Sequence, residues 1–274
     1  FLDNKVDVIF HAAAYKHVPL VENNPIEGVS NNIISTLNIC KAAERSEVQN
    51  IVFISSDKAV RPTNIMGASK RLSELIIQAF SQKNQKSLLD NGSKKLIFSM
   101  VRFGNVLYSS GSVVPLFKKQ IEEGGPITLT DEKIIRYFMT IPEASQLVLQ
   151  SLALAKGGDL FLLDMGEPVL IKKLAEQMIV LSGQTLKNED NPNGDIEILI
   201  TGLRPGEKLY EELLIDNESI PTSHPLIFKA NEKTIKYKDL FEKIDSLKVF
   251  LNNQDKKNTF RILHELIPEW QRSN

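Results

Sequence analysis

The chain has 274 residues, 42% of them hydrophobic and 24% charged, and its 33 Lys and Arg against 34 Asp and Glu leave a formal net charge of -1. This composition is typical of a globular protein with one large domain or two intimate ones, and the charge balance excludes nucleic-acid binding as the main role. The single cysteine, Cys40, excludes an internal disulfide and a cysteine-rich metal site, so we expect no metal and a reducing, cytoplasmic location. The most apolar stretch, residues 147–155, is too short to span a bilayer.

The first half of the chain alternates short apolar strands with amphipathic helices. The predicted strands are VDVIF (6–10), NIVFIS (50–55) and KLIFSMVRF (95–103), and the predicted helices cover about 25–45, 67–82 and 113–123. Apolar runs separated by helical periods predict a parallel sheet covered on both faces. Right-handed crossovers then give a doubly wound, Rossmann-like α/β sheet, which binds its ligands at the carboxyl ends of the strands.

After Gly104 the pattern becomes less regular and predicts a smaller α+β domain. The predicted strands are PITLT (126–130), DLFLL (159–163), IEILI (196–200) and PLIFKA (225–230), with helices at 142–155, 171–182 and 207–214 and two charged helices within 237–266. Polar segments at 85–95 and 186–195 are predicted loops. We therefore assign residues 1–104 to a nucleotide-binding domain and 105–274 mainly to a substrate domain and C-terminal helices, with interleaved boundaries.

Six motifs occur along the chain in a characteristic order. They are HAAAYKHVPLVENNP, NNIISTLNI, SSDKAVRPTNIMGASK, VRFGNVLYSSGSVVPLF, RYFMTIPEA and GLRPGEKLYEEL. Together they resemble the extended short-chain dehydrogenase/reductases and, more narrowly, the polysaccharide-biosynthesis UDP-N-acetylglucosamine 4,6-dehydratases. The resemblance covers nearly the whole chain. It implies NAD-dependent conversion of UDP-N-acetylglucosamine to a 4-keto-6-deoxy sugar nucleotide for bacterial glycan biosynthesis.

The resemblance assigns the chemistry to the segment after the second strand. It implies that Asp57 is the acid for the C6 hydroxyl and Lys58 the base for the C5 proton, because neighbouring side chains at a strand end can address different faces of a bound ring. Lys70 would hydrogen-bond the nicotinamide ribose. Met66 stands where the wider family has tyrosine and has no proton to give, so Ser56 or a water would take the C4 hydroxyl proton. The subgroup resembled here includes members with the same methionine. By itself, S-S-D-K predicts only a capped turn.

Small residues after the first strand are expected to contact the cofactor. By the resemblance, the residues that contact NAD are Ala12, Ala13, Ala14, Asn32 and Lys70. Tight packing of helix on strand is the alternative for the alanines. Lys16 or His17 could face the substrate, and we assign His11 to structure.

The glycine-rich pyrophosphate loop of such folds, G-x-x-G-x-x-G, is not formed by any of the 14 glycines. In the family this loop lies upstream of HAAA. We therefore interpret the chain as lacking the amino-terminal part of its nucleotide-binding domain and expect it to bind NAD weakly by itself. Upstream segments would also provide any attachment to the cytoplasmic face of a membrane.

Later motifs resemble the part of the family that binds the nucleotide sugar. The residues implied are Asn105, Gly111, Ser112, Arg136, Arg204 and Glu207. Amides at the start of the helix after Ser112 suit a diphosphate, and the Arg204 guanidinium suits a phosphate. A carboxylate such as Glu207 suits ribose hydroxyls. For the RPGEK motif, which contains Arg204 and Glu207, the alternative is a capped turn before a helix.

Two other functions remain open at this stage. A nucleotide-sugar epimerase also begins by oxidising C4, but it needs no acid and base for C6 and C5. A non-catalytic nucleotide-binding protein on the same scaffold is suggested by Met66 alone. We expect a UDP-sugar as the partner of the site, assembly into a homo-oligomer, and no nucleic acid.

Overall fold

The computed structural model describes residue 1 and residues 4–91, 96–212 and 219–271. The chain divides into two compact units. Unit 1 comprises Phe1–Phe103, Gln146–Asp164 and Glu212–Asn274, and unit 2 comprises Gly104–Ser145 and Met165–Glu211. The chain thus leaves unit 1 twice and returns to it twice, and the C-terminal helices belong to unit 1.

Eight α-helices and thirteen strands lie in the described ranges. The helices are α1 (Val18–Asn23), α2 (Pro25–Glu44), α3 (Ile65–Asn91), α4 (Val113–Glu122), α5 (Ile141–Leu154), α6 (Ile171–Leu181), α7 (Tyr237–Asn252) and α8 (Lys256–Leu266). The strands are β1 (Val8–His11), β2 (Asn50–Ile54), β3 (Ile97–Arg102), β4 (Asn105–Val106), β5 (Ile127–Leu129), β6 (Ile135–Arg136), β7 (Phe138–Met139), β8 (Asp159–Leu163), β9 (Val169–Leu170), β10 (Leu186–Lys187), β11 (Ile196–Ile200), β12 (Ser219–Pro221) and β13 (Ile227–Ala230).

Unit 1 is built on a six-stranded sheet with the order β1-β2-β3-β8-β13-β12. The strands β1, β2, β3 and β8 are parallel, whereas β13 and β12 are antiparallel additions at one edge. The predicted Rossmann-like α/β fold is confirmed. Because β1, β2 and β3 are parallel neighbours, their carboxyl ends at His11, Ile54 and Arg102 lie along the same edge of the sheet.

Both faces of the central strands are buried. Ile51 and Phe53 point to one face of β2 and Val52 to the other, and all three are at most 1% exposed. One face packs in an apolar core with side chains of α2, α3, α7 and α8. Helix α3 lies centrally in this core, since nearly all its residues from Ile65 to Ser81 are buried. The start of α3, which carries Met66 and Lys70, is therefore packed against other elements on several sides.

Unit 2 has a three-stranded parallel sheet with the order β10-β11-β5. Helices α4 and α6 contribute Phe117, Ile121 and Ile179 to a core that includes Ile127 of β5 and Ile196 of β11. Two short strand pairs, β4 with β7 and β6 with β9, complete the unit. They carry the RFGNV and RYFM motifs.

The helix predicted at 207–214 is wrong over residues 207–212, which are not helical; residues 213–214 lie outside the described ranges. The carbonyl of Lys208 accepts a hydrogen bond from Arg136 Nη2 at 2.7 Å. The carbonyl of Leu209 accepts from Arg136 Nη1 at 3.1 Å and from the Ile135 amide at 3.2 Å. These acceptors are therefore used by a neighbouring strand instead of by a helix.

The loop predicted at 85–95 is also wrong where it is described, because α3 continues to Asn91; residues 92–95 lie outside the described ranges. Gln, Lys and Leu in this segment favour helix, and only the Asn-Gly pair at its end is a stop signal. Within the described part of the chain no helix, α3 included, is long and apolar enough to cross a membrane.

Candidate active site

The S-S-D-K segment continues from the end of β2 into a short 3₁₀ turn. The Ser55 amide still pairs with the Val101 carbonyl at 2.8 Å, beyond the last residue of β2. A 3₁₀ turn then covers Asp57–Ala59, and its cap is Ser56, whose Oγ accepts from the Lys58 amide at 3.2 Å. The backbone of the predicted catalytic segment is thus fixed by strand pairing at one end and by a cap at the other.

The three predicted catalytic side chains of this turn meet at one carboxylate oxygen. Asp57 Oδ1 accepts from Ser56 Oγ at 2.8 Å and from Lys58 Nζ at 3.0 Å. The Asp57 side chain is 3% exposed and that of Lys58 is 22% exposed. On an extended strand neighbouring side chains point to opposite faces, but the 3₁₀ turn brings these two into direct contact. Asp57 and Lys58 therefore form a direct ion pair at the end of the strand.

Lys70 reaches the same sheet edge from α3. Its Nζ donates to the carbonyl of Ile54 at 2.9 Å and lies 4.7 Å from the centroid of the Phe53 ring. Burial lowers the pKa of Lys70 to about 8, although the nearby Glu74 carboxylate opposes this shift. An ammonium group has three donors, and the bond to Ile54 uses one of them.

The pKa of Lys70 predicts a pH dependence of stability. Below pH 8 the folded and unfolded chains both carry this proton, and the folded state bears the cost of a buried charge. Between pH 8 and 10.5 the folded state releases the proton first, so the free energy of unfolding rises with pH. Relative to Lys70→Met, the wild type should gain up to about 3 kcal/mol across this interval in urea unfolding. A difference that does not change with pH would contradict this expectation.

The start of α3 is held close to the S-S-D-K turn. Glu22 Oε1 accepts from the Ile65 amide at 2.6 Å, and Asn64 Oδ1 accepts from the Gly67 amide at 2.8 Å. A Cβ atom on Gly67 would lie 2.2 Å from the carbonyl oxygen of Lys58. Glycine is therefore required for the close approach of α3 to the backbone of the predicted base.

Met66 is buried among apolar residues. It is 3% exposed and belongs to the core formed with α2, α7 and α8. A thioether does not transfer protons, so we expect Met66→Leu, which conserves volume, to retain turnover within a few-fold and to cost less than about 1.5 kcal/mol of stability. Steady-state kinetics of the folded variant test this. Complete loss of turnover in Met66→Leu would give the sulfur a role that we do not assign to it.

The HAAA segment begins at His11, the last residue of β1, and its alanines follow at the same sheet edge. Ala12 and Ala13 are exposed and Ala14 is partly buried. The Asn32 side chain accepts from the Tyr15 amide at 2.7 Å and donates to the Tyr15 carbonyl at 3.0 Å. Asn32 therefore fixes the backbone that follows the alanines.

Three polar residues lie at the ends of this segment or just after it. His11 Nε2 lies 3.0 Å from Thr36 Oγ1, and burial followed by the charge of Lys70 lowers the pKa of His11 to about 4. The imidazole is therefore neutral at physiological pH. Lys16 and His17 are exposed and line a cavity of about 510 Å³ beside α1.

In unit 2, helix α4 begins without a side-chain cap on its first amides. Asn105 pairs in β4 with Phe138, and Gly111 has a φ of 68°. Ser112 is the residue before α4, but its side chain makes no capping hydrogen bond and its buried Oγ has no partner among the described residues. The first amides of α4 are thus not capped by a side chain, and a helix start of this kind favours an anionic group.

The RPGEK motif forms a turn, and Arg136 of β6 makes hydrogen bonds to the backbone at its end. Glu207 accepts from the Arg204 amide at 3.1 Å and from Thr130 Oγ1 at 3.1 Å. The Arg136 guanidinium donates to three backbone carbonyls, those of residues 135, 208 and 209. Arg204 itself is exposed. Arg136 holds the turn in place, while the guanidinium of Arg204 is accessible.

The predicted site residues thus fall into two groups. Ser56, Asp57, Lys58, Met66, Lys70, Asn32 and the three alanines are in unit 1, and Asn105, Gly111, Ser112, Arg136, Arg204 and Glu207 are in unit 2. Sequence reasoning missed Gly67 and a cluster of charges next to Ser55, buried except for the partly exposed Glu269, which we call the charge network: Arg71, Glu74, Arg102, Glu232 and Glu269. In the described ranges no group of three or more His, Cys, Asp or Glu side chains could hold a metal ion.

Comparison with known proteins identifies the family. Residues 1–232 match the polysaccharide biosynthesis protein family, and the chain belongs to it. The capsular polysaccharide biosynthesis protein CapD of Staphylococcus aureus is 55% identical over 213 residues, which are 78% of this chain and 33% of CapD. A UDP-glucose 4-epimerase of Rickettsia bellii is 34% identical over 78% of this chain and 57% of its own length. The chain spans about a third of the length of CapD.

Solved structures show the same fold. Pen from Bacillus thuringiensis has a TM-score of 0.70 and 36% identity, covering 88% of this chain and 76% of Pen. The dTDP-glucose 4,6-dehydratase DesIV of Streptomyces venezuelae, solved with NAD and TYD bound, has a TM-score of 0.57 and 18% identity, covering 71% of this chain and 61% of DesIV. Because DesIV is only 18% identical, its similarity to this chain concerns the fold alone.

Proposed function

We propose that the protein carrying this chain dehydrates UDP-N-acetylglucosamine to a 4-keto-6-deoxy sugar nucleotide with NAD as its cofactor. The observation that carries the proposal is the contact between Asp57 and Lys58 at the carboxyl end of β2. Dehydration needs a base for the C5 proton and an acid for the C6 hydroxyl. Membership of the polysaccharide biosynthesis family supports a role in making a nucleotide sugar for glycans.

In the proposed mechanism, both reactive forms arise by proton transfer across the contact between the two side chains. If Lys58 passes its proton to Asp57 across the 3.0 Å contact, the lysine becomes a neutral base and the aspartate a protonated acid, with no change in total charge. Lys58 then takes the C5 proton, and Asp57 gives its proton to the departing C6 hydroxyl, which leaves as water. Lys58 then returns a proton to C5 of the product, and the proton released from the C4 hydroxyl makes up for the one that Asp57 lost to water. The hydrogen bond from Ser56 to the same oxygen supports a role for this hydroxyl in relaying the C4 hydroxyl proton.

The residues of unit 1 fit the proposed cofactor. NAD, when bound, supplies the oxidising group for C4. The exposed methyl groups of Ala12 and Ala13 leave the backbone after β1 accessible, at the sheet edge where such folds bind ligands. Lys70 has donors left for a ribose hydroxyl at that edge. In unit 2, we propose that the amides at the start of α4 and the exposed Arg204 bind the diphosphate, and that Glu207 binds the ribose.

An epimerase is the second candidate, because a relative with 34% identity is a UDP-glucose 4-epimerase. Mass spectrometry of the product made by the full-length protein from UDP-N-acetylglucosamine and NAD separates the candidates. We expect loss of one water from the sugar nucleotide. An unchanged mass with altered C4 configuration would identify an epimerase, and no reaction would favour a non-catalytic protein.

A further inference from the structure

Glu74 of α3 is the centre of the charge network and touches the strand that carries the proposed catalytic turn. Its Oε1 accepts from Ser55 Oγ at 2.6 Å and from Arg102 Nε at 2.7 Å. Its Oε2 accepts from Arg102 Nη2 at 2.6 Å and from Arg71 Nη1 at 2.9 Å. The side chains of Glu74, Arg71 and Arg102 are at most 4% exposed. Both carboxylate oxygens are thus saturated by four donors in fixed directions.

The two arginines that bind Glu74 are themselves held by further acidic residues of the network. Arg102 also makes two hydrogen bonds to Glu232, at 2.6 and 2.9 Å. Arg71 contacts Glu232 at 2.9 Å and Glu269 at 3.0 Å. Burial alone would raise the pKa of Glu74, but the charge and hydrogen bonds of Arg102, helped by Arg71, hold it at about 2. Glu74 therefore stays ionised, and a buried ion cluster of this kind favours one geometry.

Two residues of α3 hold the end of β2 from the same side. Lys70 donates to the Ile54 carbonyl, and Glu74, one helical turn later, accepts from the Ser55 hydroxyl. The next residues are Ser56, Asp57 and Lys58. We propose that Ser55 is a positioning residue, whose hydrogen bond to Glu74 fixes the strand end from which the Asp57–Lys58 pair extends. This inference rests on the proposed function.

Ser55→Ala is the appropriate test, because it removes the link and leaves every charge of the network paired. Ser55→Thr keeps a hydroxyl for Glu74. Ser151→Ala is the matched control, since Ser151 is also fully buried in unit 1 but its Oγ bonds only to the Leu147 carbonyl in its own helix. All three variants are compared with the wild type in the full-length protein, by thermal unfolding and by steady-state kinetics with UDP-N-acetylglucosamine.

A positioning role predicts a specific change in the kinetic constants. Ser55→Ala should lower kcat about tenfold to a hundredfold with KM within about twofold, because the buried Ser55 hydroxyl bonds to Glu74 and its loss would disturb the alignment of the reacting groups more than substrate binding. Ser55→Thr should recover most of kcat, and Ser151→Ala should leave kcat unchanged. A Ser55→Ala protein with kcat within twofold of wild type, or a Ser55→Thr protein as slow as Ser55→Ala, would overturn the inference. A wild type that does not release water would instead overturn the proposed function.

Discussion

Lys58→Met in the full-length protein should abolish exchange of the C5 proton with solvent. When the wild type works in D₂O, deuterium should appear at C5 of the product, because the base that removes this proton exchanges with water. Methionine keeps the length of the side chain but cannot accept a proton. Turnover should fall by about 10²–10⁴-fold, the usual effect of losing a positioned base. Proton NMR of the sugar nucleotide measures the exchange.

Asp57→Asn is the companion variant that separates acid from base. If Asp57 protonates the departing hydroxyl, this variant should form almost no 6-deoxy product, and C5 exchange should continue only slowly, because asparagine cannot take the proton that Lys58 gives up. Because the two side chains are in direct contact, each change also alters its partner, so the two variants are interpreted together. Lys119→Met, at an exposed lysine of unit 2, is the control and should behave as wild type. C5 exchange retained by Lys58→Met and lost by Asp57→Asn would reverse the two roles.

Gly67→Ala should have the next largest effect. The added methyl group would lie 2.2 Å from the carbonyl oxygen of Lys58, so either α3 or the 3₁₀ turn must move. A shift of about 1 Å at reacting groups can cost about 10²-fold in rate, and we expect a loss of kcat of that order in a folded protein. Circular dichroism and steady-state kinetics would measure the fold and the rate.

Gly28→Ala provides the matched control for this change. Gly28 also lies in a helix, but the three atoms nearest to a Cβ there all belong to the side chain of Val21. Side chains can adjust, so kcat should remain within a few-fold of wild type. Equal losses of kcat in Gly28→Ala and Gly67→Ala would show that crowding near the Lys58 backbone has no special effect on the chemistry.

The helices with clear apolar periods and clear ends could be predicted from the sequence. α2 begins at Pro25, as proline at a first helical position indicates, and α6 ends just before Gly183, which has a φ of 78°. The prediction failed where a distant side chain decides the local structure. Arg136 binds the carbonyls of residues 208 and 209, and nothing near those residues in the sequence indicates it.

The candidate site shows the same division. The family motif gave the positions of Asp57 and Lys58, but not their direct contact, which depends on the 3₁₀ turn after β2. The charge network could not be predicted, because Arg102 pairs with residues 28 and 130 positions away. In the sequence, Arg71 and Glu74 have the spacing of an exposed helical ion pair, and residues of these types are seldom fully buried. Gly67 had a local signal, as a glycine within a helical pattern, that indicates a close approach.

The most direct test of the account is to follow the hydrogen on C4 of the substrate. UDP-N-acetylglucosamine carrying deuterium at C4 is converted by the full-length protein in ordinary water, and the product is examined by deuterium NMR and mass spectrometry. A 4,6-dehydratase predicts a product that has lost one water and carries the deuterium in its C6 methyl group. Deuterium retained at C4 of a sugar with inverted configuration and unchanged mass would contradict the account and identify an epimerase.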